Sequence, residues 1–364
     1  MKKKIFILFI LLIFISNGVS YAEKLNLSAQ SHILMDEVSG RVLMEHNSHN
    51  KMAMASTTKI MTALIALENS DLDDIVTIDE RSINIEGSSI YLANKEEISM
   101  RDLLYGLMLR SGNDSAIAIA NHVSGSEEAF INLMNEKAKS LKAFNTNFVN
   151  PHGLSAEDHY STAFDLAIIT REAFKYDVFK EIVSAKSYKA NREGNGYFIN
   201  KNKTLWEYKG GNGVKIGYTM AAGRCLVSSA IRDGMGLIAV SLNAPNWFND
   251  NYQLMDYGFD NYKPYNIYGK HQFIKKIQIT TDDLDLNIVT ENELILPLKE
   301  GEKNSIKVNI KTFDNFQLPI KKGEVVGKID TYLDGVLIKS DNLISKDDIN
   351  KKSLIERFFM LIYN

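Results

Sequence analysis

Between residues 31 and 242 the spacing of apolar side chains changes twice, and no other feature narrows the possible folds as much. Residues 33–36 and 41–45 read as two strands around a turn at Val38-Ser39-Gly40, a β-hairpin signature. From Ser56 to about residue 176 helical spacing dominates. Leu103, Leu104, Leu107 and Met108 mark the apolar face of a helix over 100–110. That helix stops at Ser111-Gly112, a second starts near Asn113-Asp114, and two more are predicted over 127–141 and 162–174. Residues 214–219, 224–231 and 236–242 are β-rich again and joined by Gly-containing turns. Strands, then helices, then strands predict an α+β fold. An antiparallel sheet is built from both ends of the segment, and a helical insert packs on it.

The flanks differ from this middle. The chain opens Met1-Lys2-Lys3-Lys4, continues with an apolar run over 5–15 and reaches small residues at Ser20-Tyr21-Ala22. This is the pattern of a secretory signal peptide, predicted over 1–22. A main domain is predicted over 23–265. Beyond it, alternating segments such as Phe273-Ile274-Lys275-Lys276-Ile277-Gln278-Ile279 predict a small all-β domain over 266–345. Over 346–364, polar residues precede Leu354, Ile355, Phe358, Phe359, Met360, Leu361, Ile362 and Tyr363. The stretch is too short to span a bilayer. It is expected to form an amphipathic helix lying in a membrane interface. Such a chain is exported and held peripherally on the outer face of the cytoplasmic membrane.

Composition removes some alternatives. Net charge is -3 with both signs interspersed, so nucleic acid is not an expected partner. Cys225 is the single cysteine, which rules out an internal disulfide, and its neighbours Leu226 and Val227 place it in a buried strand. The seven histidines show no H-E-x-x-H spacing, and no metal or other cofactor is expected. His152 and His159 flank a turn-rich loop and read as structural.

Chemistry concentrates at three places. Ser56 lies three residues before Lys59, at the start of an apolar helix carrying Ile60, Met61, Leu64 and Ile65. Positions i and i+3 share a helix face, so the amine would stand beside the hydroxyl. A serine hydroxyl needs a neighbouring base, and burial would make Lys59 one by lowering its pKa. Ser48 and Lys51 have the same spacing, but residues 46–51 are polar and read as a loop. Ser111-Gly112-Asn113 falls between two predicted helices, and Lys215-Ile216-Gly217 falls in a predicted strand. Alone, each is weak, since Ser82-Ile83-Asn84 and Lys209-Gly210-Gly211 also fit. Their order and their placement on helix start, interhelix loop and strand match the S-x-x-K, S-x-N, K-T-G set of penicillin-binding proteins and β-lactamases.

With those motifs in place, the chain resembles the serine D-alanyl-D-alanine carboxypeptidases of peptidase family S11, the low-molecular-weight penicillin-binding proteins. The likeness includes residues 31–36, 55–68, Leu109-Arg110-Ser111-Gly112-Asn113-Asp114, Asn150-Pro151-His152-Gly153-Leu154 and residues 213–219. It implies a β-lactamase/transpeptidase-like catalytic domain, a C-terminal β module and a terminal anchor. It implies catalysis by Ser56, Lys59, Ser111 and Asn113, and substrate binding by Lys215, Gly217 and Tyr218. Peptidoglycan stem peptides ending in D-Ala-D-Ala are the implied substrates, and β-lactams the implied inhibitors. Two departures stand out: Ile216 replaces the family Thr, and Met54 replaces a common proline. A class A β-lactamase would need an E-x-x-x-N run after the second motif, and none lies over 134–185. The remaining alternative is a weakly active or non-catalytic penicillin-binding wall protein, with Ile216 as the sign of lost activity.

Overall fold

The computed structural model describes residues 25–279, 284–314 and 316–351. The segment read as a signal peptide lies outside the described residues, as do residues 352–364 of the apolar tail.

Five strands form the central antiparallel sheet: β1 (Ser31–Asp36), β2 (Val42–His46), β3 (Gly211–Thr219), β4 (Gly223–Arg232) and β5 (Met235–Leu242), in the order β2-β1-β5-β4-β3. The first strand of the segment pairs with the last, from Ser31 opposite Leu242 to Asp36 opposite Leu237. This pairing closes the domain around its helical insert. β5 is buried along its whole length because both faces of the sheet are covered. β3 is an edge strand.

The insert and the cover are helices α1 (Lys59–Asn69), α2 (Met100–Tyr105), α3 (Asn113–Ser124), α4 (Glu127–Ser140), α5 (Ala163–Ala173), α6 (Asp177–Ser184) and α7 (Trp247–Asn261). Side-chain caps start three of them. Ser99 accepts from the Asp102 N–H, Ser126 from Ala129 and Thr162 from Asp165. α1 is buried from Lys59 to Ala66 and lies at the centre of the larger core, with Leu104, Ile119, Leu166 and Val240. On the other sheet face α7 packs Leu254, Met255 and Phe259 against Leu34 and Leu237.

Where the two diverge, the structure departs from the sequence expectation for physical reasons. Apart from a 3-10 turn at Glu80–Ser82, residues 70–99 are not helical but hold a two-stranded ribbon, Ile75–Thr77 with Glu97–Ser99. The helix over 100–110 continues past α2 as a π-helical turn, Gly106–Arg110, and ends in left-handed Ser111 at φ +61°. Helix α7 carries Asn249, Asp250, Asn251, Asp256 and Asp260, poor helix formers that mask it in the sequence. Burial of its apolar face outweighs that propensity.

The second region is all-β. A ribbon pairs β6 (Lys263–Tyr268) with β9 (Leu294–Leu298). A five-stranded antiparallel sheet holds β7 (Phe273–Ile279), β8 (Leu284–Thr290), β10 (Ile306–Thr312), β11 (Val325–Leu333) and β12 (Val336–Ser345), in the order β7-β8-β12-β11-β10. Its core contains Leu286, Ile288, Leu296, Ile329 and Leu343. Arg41 ties the two regions together: it donates to the Glu302 carboxylate at 2.6 and 2.9 Å and to the Pro297 carbonyl at 2.6 Å. A helix starting at residue 346 is not what the structure has. Ile349 is buried and bridges Ile320, and the Lys346 N–H donates to the Asn287 carbonyl. Residues 346–351 thus extend the β region.

Candidate active site

Ser56 occupies a tight 3-10 turn, Ala55–Thr58, that runs directly into α1. The turn is held in an uncommon backbone state, with Ala55 at φ +49°. Buried hydrogen bonds enforce it. The Thr57 hydroxyl donates to the Met54 carbonyl (2.6 Å) and the Thr58 hydroxyl to the Ala55 carbonyl (2.8 Å). Behind Thr58 stands His159. The Val149 N–H donates to His159 Nδ1 at 3.0 Å, so the ring proton sits on Nε2 and donates to Thr58 Oγ1 at 2.9 Å. Burial, with Lys59 nearby, holds the His159 pKa down to about 4. The neutral tautomer is therefore the resident one. Gly153 lies behind the turn as well: a Cβ there would come 2.0 Å from the Ala55 carbonyl oxygen, and its φ is +89°. No side chain fits that position.

Among residues 54 to 66, Ser56 is the only one that is not buried. Lys59, one helical turn on, is completely inaccessible. Its amine lies 3.2 Å from Ser56 Oγ, 2.6 Å from Asn113 Oδ1 and 2.5 Å from the His152 carbonyl. Burial above all, then the charge of Lys215, drives the Lys59 pKa well below its usual value, and Asp114 opposes this in part. A neutral amine has two N–H bonds and one lone pair. Asn113 Oδ1 and the His152 carbonyl can only accept, so they take the two N–H bonds. The lone pair is left for the Ser56 hydroxyl.

The second motif forms the facing wall. Ser111 and Asn113 flank the start of α3 and project toward the amines of Lys215 and Lys59. Asn113 Nδ2 donates to the Glu86 carbonyl at 2.5 Å, which fixes which way the amide points. Asp114 was not among the residues singled out in the sequence. It is buried and accepts from the Ser89 hydroxyl and the Ile90 and Leu92 N–H groups. It thereby holds the loop 89–92 beside the site. An acidic residue directly after the S-x-N motif was the available signal.

The third motif lies on the edge strand. Lys215 is 1% exposed, and its amine donates to Ser111 Oγ (3.1 Å) and to the Ile216 carbonyl (2.9 Å). Burial, with Lys201 adding a smaller repulsion, lowers its pKa to about 7. Gly217 brings β3 against the nucleophile turn: a Cβ there would stand 2.9 Å from Ser56 N. Tyr218 turns its side chain to solvent, with 62% exposed. Ile216 is half-buried beside Lys215. The structure therefore brings Ser56, Lys59, Ser111, Asn113, Lys215 and Gly217 together. Ser48 stands elsewhere, in a turn where its hydroxyl meets Glu45. Cys225 is buried, with its thiol pKa raised to about 11 by burial. Among the described residues no group of three or more His, Cys, Asp or Glu side chains could hold a metal.

This is the architecture of a serine acyl-transferase of the penicillin-binding class. The chain belongs to the D-alanyl-D-alanine carboxypeptidase family, peptidase family S11, whose model matches residues 18–246. Residues 262–351 match a second model, the penicillin-binding protein 5 C-terminal domain. D-Alanyl-D-alanine carboxypeptidase DacF of Bacillus subtilis is 34% identical over 339 residues, covering 90% of this chain and 87% of that one. DacC of Escherichia coli is 33% identical over 351 residues, covering 91% and 87%. Penicillin-binding protein 5 from Haemophilus influenzae superposes with a TM-score of 0.68 at 29% identity, over 90% of this chain and 99% of that one.

Proposed function

We propose that this protein removes the terminal D-alanine from peptidoglycan stem peptides, on the outer side of the cytoplasmic membrane. The observation that carries the reading is the Lys59 amine: fully buried, with two acceptors placed to take its N–H bonds, and within reach of Ser56 Oγ. Ser56 attacks the carbonyl carbon of the penultimate D-alanine while Lys59 takes its proton. The Ser56 and Tyr218 N–H groups receive the resulting oxyanion. Collapse breaks the peptide bond, and Ser111 relays a proton to the departing D-alanine nitrogen. Asn113 orients Lys59 and the substrate amide, and Lys215 meets the terminal carboxylate. Water, deprotonated by Lys59, then attacks the ester and frees Ser56. A β-lactam follows the first half of this path and remains on Ser56.

Intact-mass analysis after penicillin treatment, paired with D-alanine release from a D-Ala-D-Ala peptide, tests the assignment. One adduct and released D-alanine are expected, both lost in Ser56→Ala. An adduct that persists in Ser56→Ala refutes the nucleophile. Labelling without release supports the non-catalytic alternative.

Export and peripheral attachment rest on sequence: the signal-like residues 1–22 and the apolar residues over 354–363. No helix among the described residues is long and apolar enough to cross a membrane. Truncation after Ile349, which keeps the Ile320 bridge, should release the protein from membranes with carboxypeptidase activity retained. Continued sedimentation with membranes would reject the anchor.

A further inference from the structure

A small cleft of about 70 Å³ opens between the loop bearing Ser89 and Tyr91 and the segment bearing Asn195 and Tyr197. Arg110 lines it, one residue before Ser111 and at the end of the π-helical turn. Its guanidinium has no hydrogen-bond or ion-pair partner among the described residues. The other cation at this wall is fully engaged. Arg192 is chelated by Glu96 at 2.7 and 2.8 Å and donates to the Ile90 and Tyr91 carbonyls at 2.8 and 3.1 Å. Those bonds, with Asp114 from the other side, fix the wall of the cleft. Two carboxylates of this wall are committed as well: Asp114 to Ser89 and backbone N–H groups, Glu96 to Arg192. At the mouth stand Tyr91 and Tyr197, 68% and 61% exposed.

A planar, permanently charged fork without a partner, in a cleft of this size, matches a carboxylate rather than a sugar ring. Arg110 directly precedes Ser111, and the Asn113 N–H donates to the Ser88 carbonyl at 2.7 Å, which ties the loop walling the cleft to the wall of the active site; a carboxylate held here is taken to belong to the peptide that reaches Ser56. The terminal carboxylate is already met by Lys215, so the second must come from a side chain upstream of the bond that is cut. We propose that Arg110 reads such a side-chain carboxylate. The enzyme would then favour stem peptides whose residue before D-Ala-D-Ala ends in a carboxylate over those ending in an amide or amine. This rests on the D-Ala-D-Ala reading given above.

Binding to the Ser56→Ala protein separates recognition from chemistry. Two peptides serve as probes, L-α-aminopimelyl-D-Ala-D-Ala and its ω-amide, which differ only in the side-chain charge. Calorimetry should show the acid bound roughly 10- to 150-fold more tightly than the amide, the range of one hydrogen-bonded charge pair. The preference should shrink with added salt. Arg110→Gln in the same background should bring the ratio close to one, and Arg110→Lys should retain part of it. Equal binding of acid and amide with Arg110 present overturns the proposal, as does a preference that survives Arg110→Gln. If the Gln variant does not fold, the acid–amide comparison on the Arg110 protein and on Arg110→Lys still decides. D-Alanine release is measured separately with Ser56 intact. Its absence with both peptides would refute the carboxypeptidase reading, whereas the acid–amide binding ratio alone judges Arg110.

Discussion

The Lys59 amine and the Ser56 hydroxyl lie 3.2 Å apart, and the two shorter contacts of that amine go to atoms that cannot donate to it. A charged ammonium would need water or a counter-charge here, and the position has no exposure. Burial therefore favours the neutral amine, and the two acceptors aim its lone pair at the serine.

Lys59→Arg should remove the base while keeping a long cationic side chain, because a guanidinium does not deprotonate in proteins. Acylation by penicillin should slow by about 10²- to 10⁴-fold, the usual contribution of a positioned general base. In the unmodified protein the acylation rate should rise with pH to a plateau, with its midpoint well below 10.5. Stopped-flow acylation across pH checks both. A variant rate within tenfold of the original would exclude Lys59 as the base.

Gly217→Ala would place a methyl group 2.9 Å from Ser56 N, a backbone atom without a soft way to move. Strand and nucleophile turn must separate by some tenths of an ångström, which shifts the N–H groups aimed at the oxyanion. The acylation rate should fall by about 10²- to 10³-fold, the scale of one lost oxyanion donor. Overpacking should cost about 1–3 kcal/mol of stability. Rates measured alongside circular dichroism separate the two effects, and a folded variant with full activity would count against the placement.

Ile216→Thr restores a hydroxyl next to Lys215 on the strand edge. One hydrogen bond to a substrate carboxylate should raise kcat/KM on a D-Ala-D-Ala peptide by about 5- to 150-fold. Ile216 is only half-buried and Thr is also β-branched, so the stability cost should stay near 1 kcal/mol. An unchanged or lower kcat/KM would mean that this site has rebuilt its carboxylate contacts.

Acid should loosen the domain through His159. Its folded pKa is depressed to about 4 from 6.5, so the unfolded chain takes up the proton first as pH falls. Stability is complete above about 6.5, declines between 6.5 and 4, and levels off below 4. A shift of this size is worth on the order of 3 kcal/mol, or on the order of 5–10 °C in Tm. Thermal melts from pH 4 to 7.5 should show a shallower decline in His159→Gln than in the original chain. Identical slopes would remove His159 from the account.

Much of the site was legible because chemistry and periodicity fell together. Ser56 and Lys59 sit at the head of an apolar helical run, Ser111 and Asn113 at a break between two such runs, and Lys215 and Gly217 in a β-rich segment. The support around them was not legible. Gly153 and the His159–Thr58 contact act on partners about a hundred residues away, and no local pattern encodes such distances. Helix α7 was hidden for the same reason, since its stability comes from Leu34 and Leu237 across the sheet.

By itself, then, the sequence determined the strand–helix–strand order, the second β region and the identity of the reacting groups, because these follow from side-chain type and near-neighbour spacing. Only the tertiary structure decided that Lys59 is dry, that its N–H bonds are taken up by Asn113 and His152, and that Gly217 lies against Ser56 N. Basicity and aim depend on desolvation and on directional partners. Both arise when segments far apart in the chain are packed together.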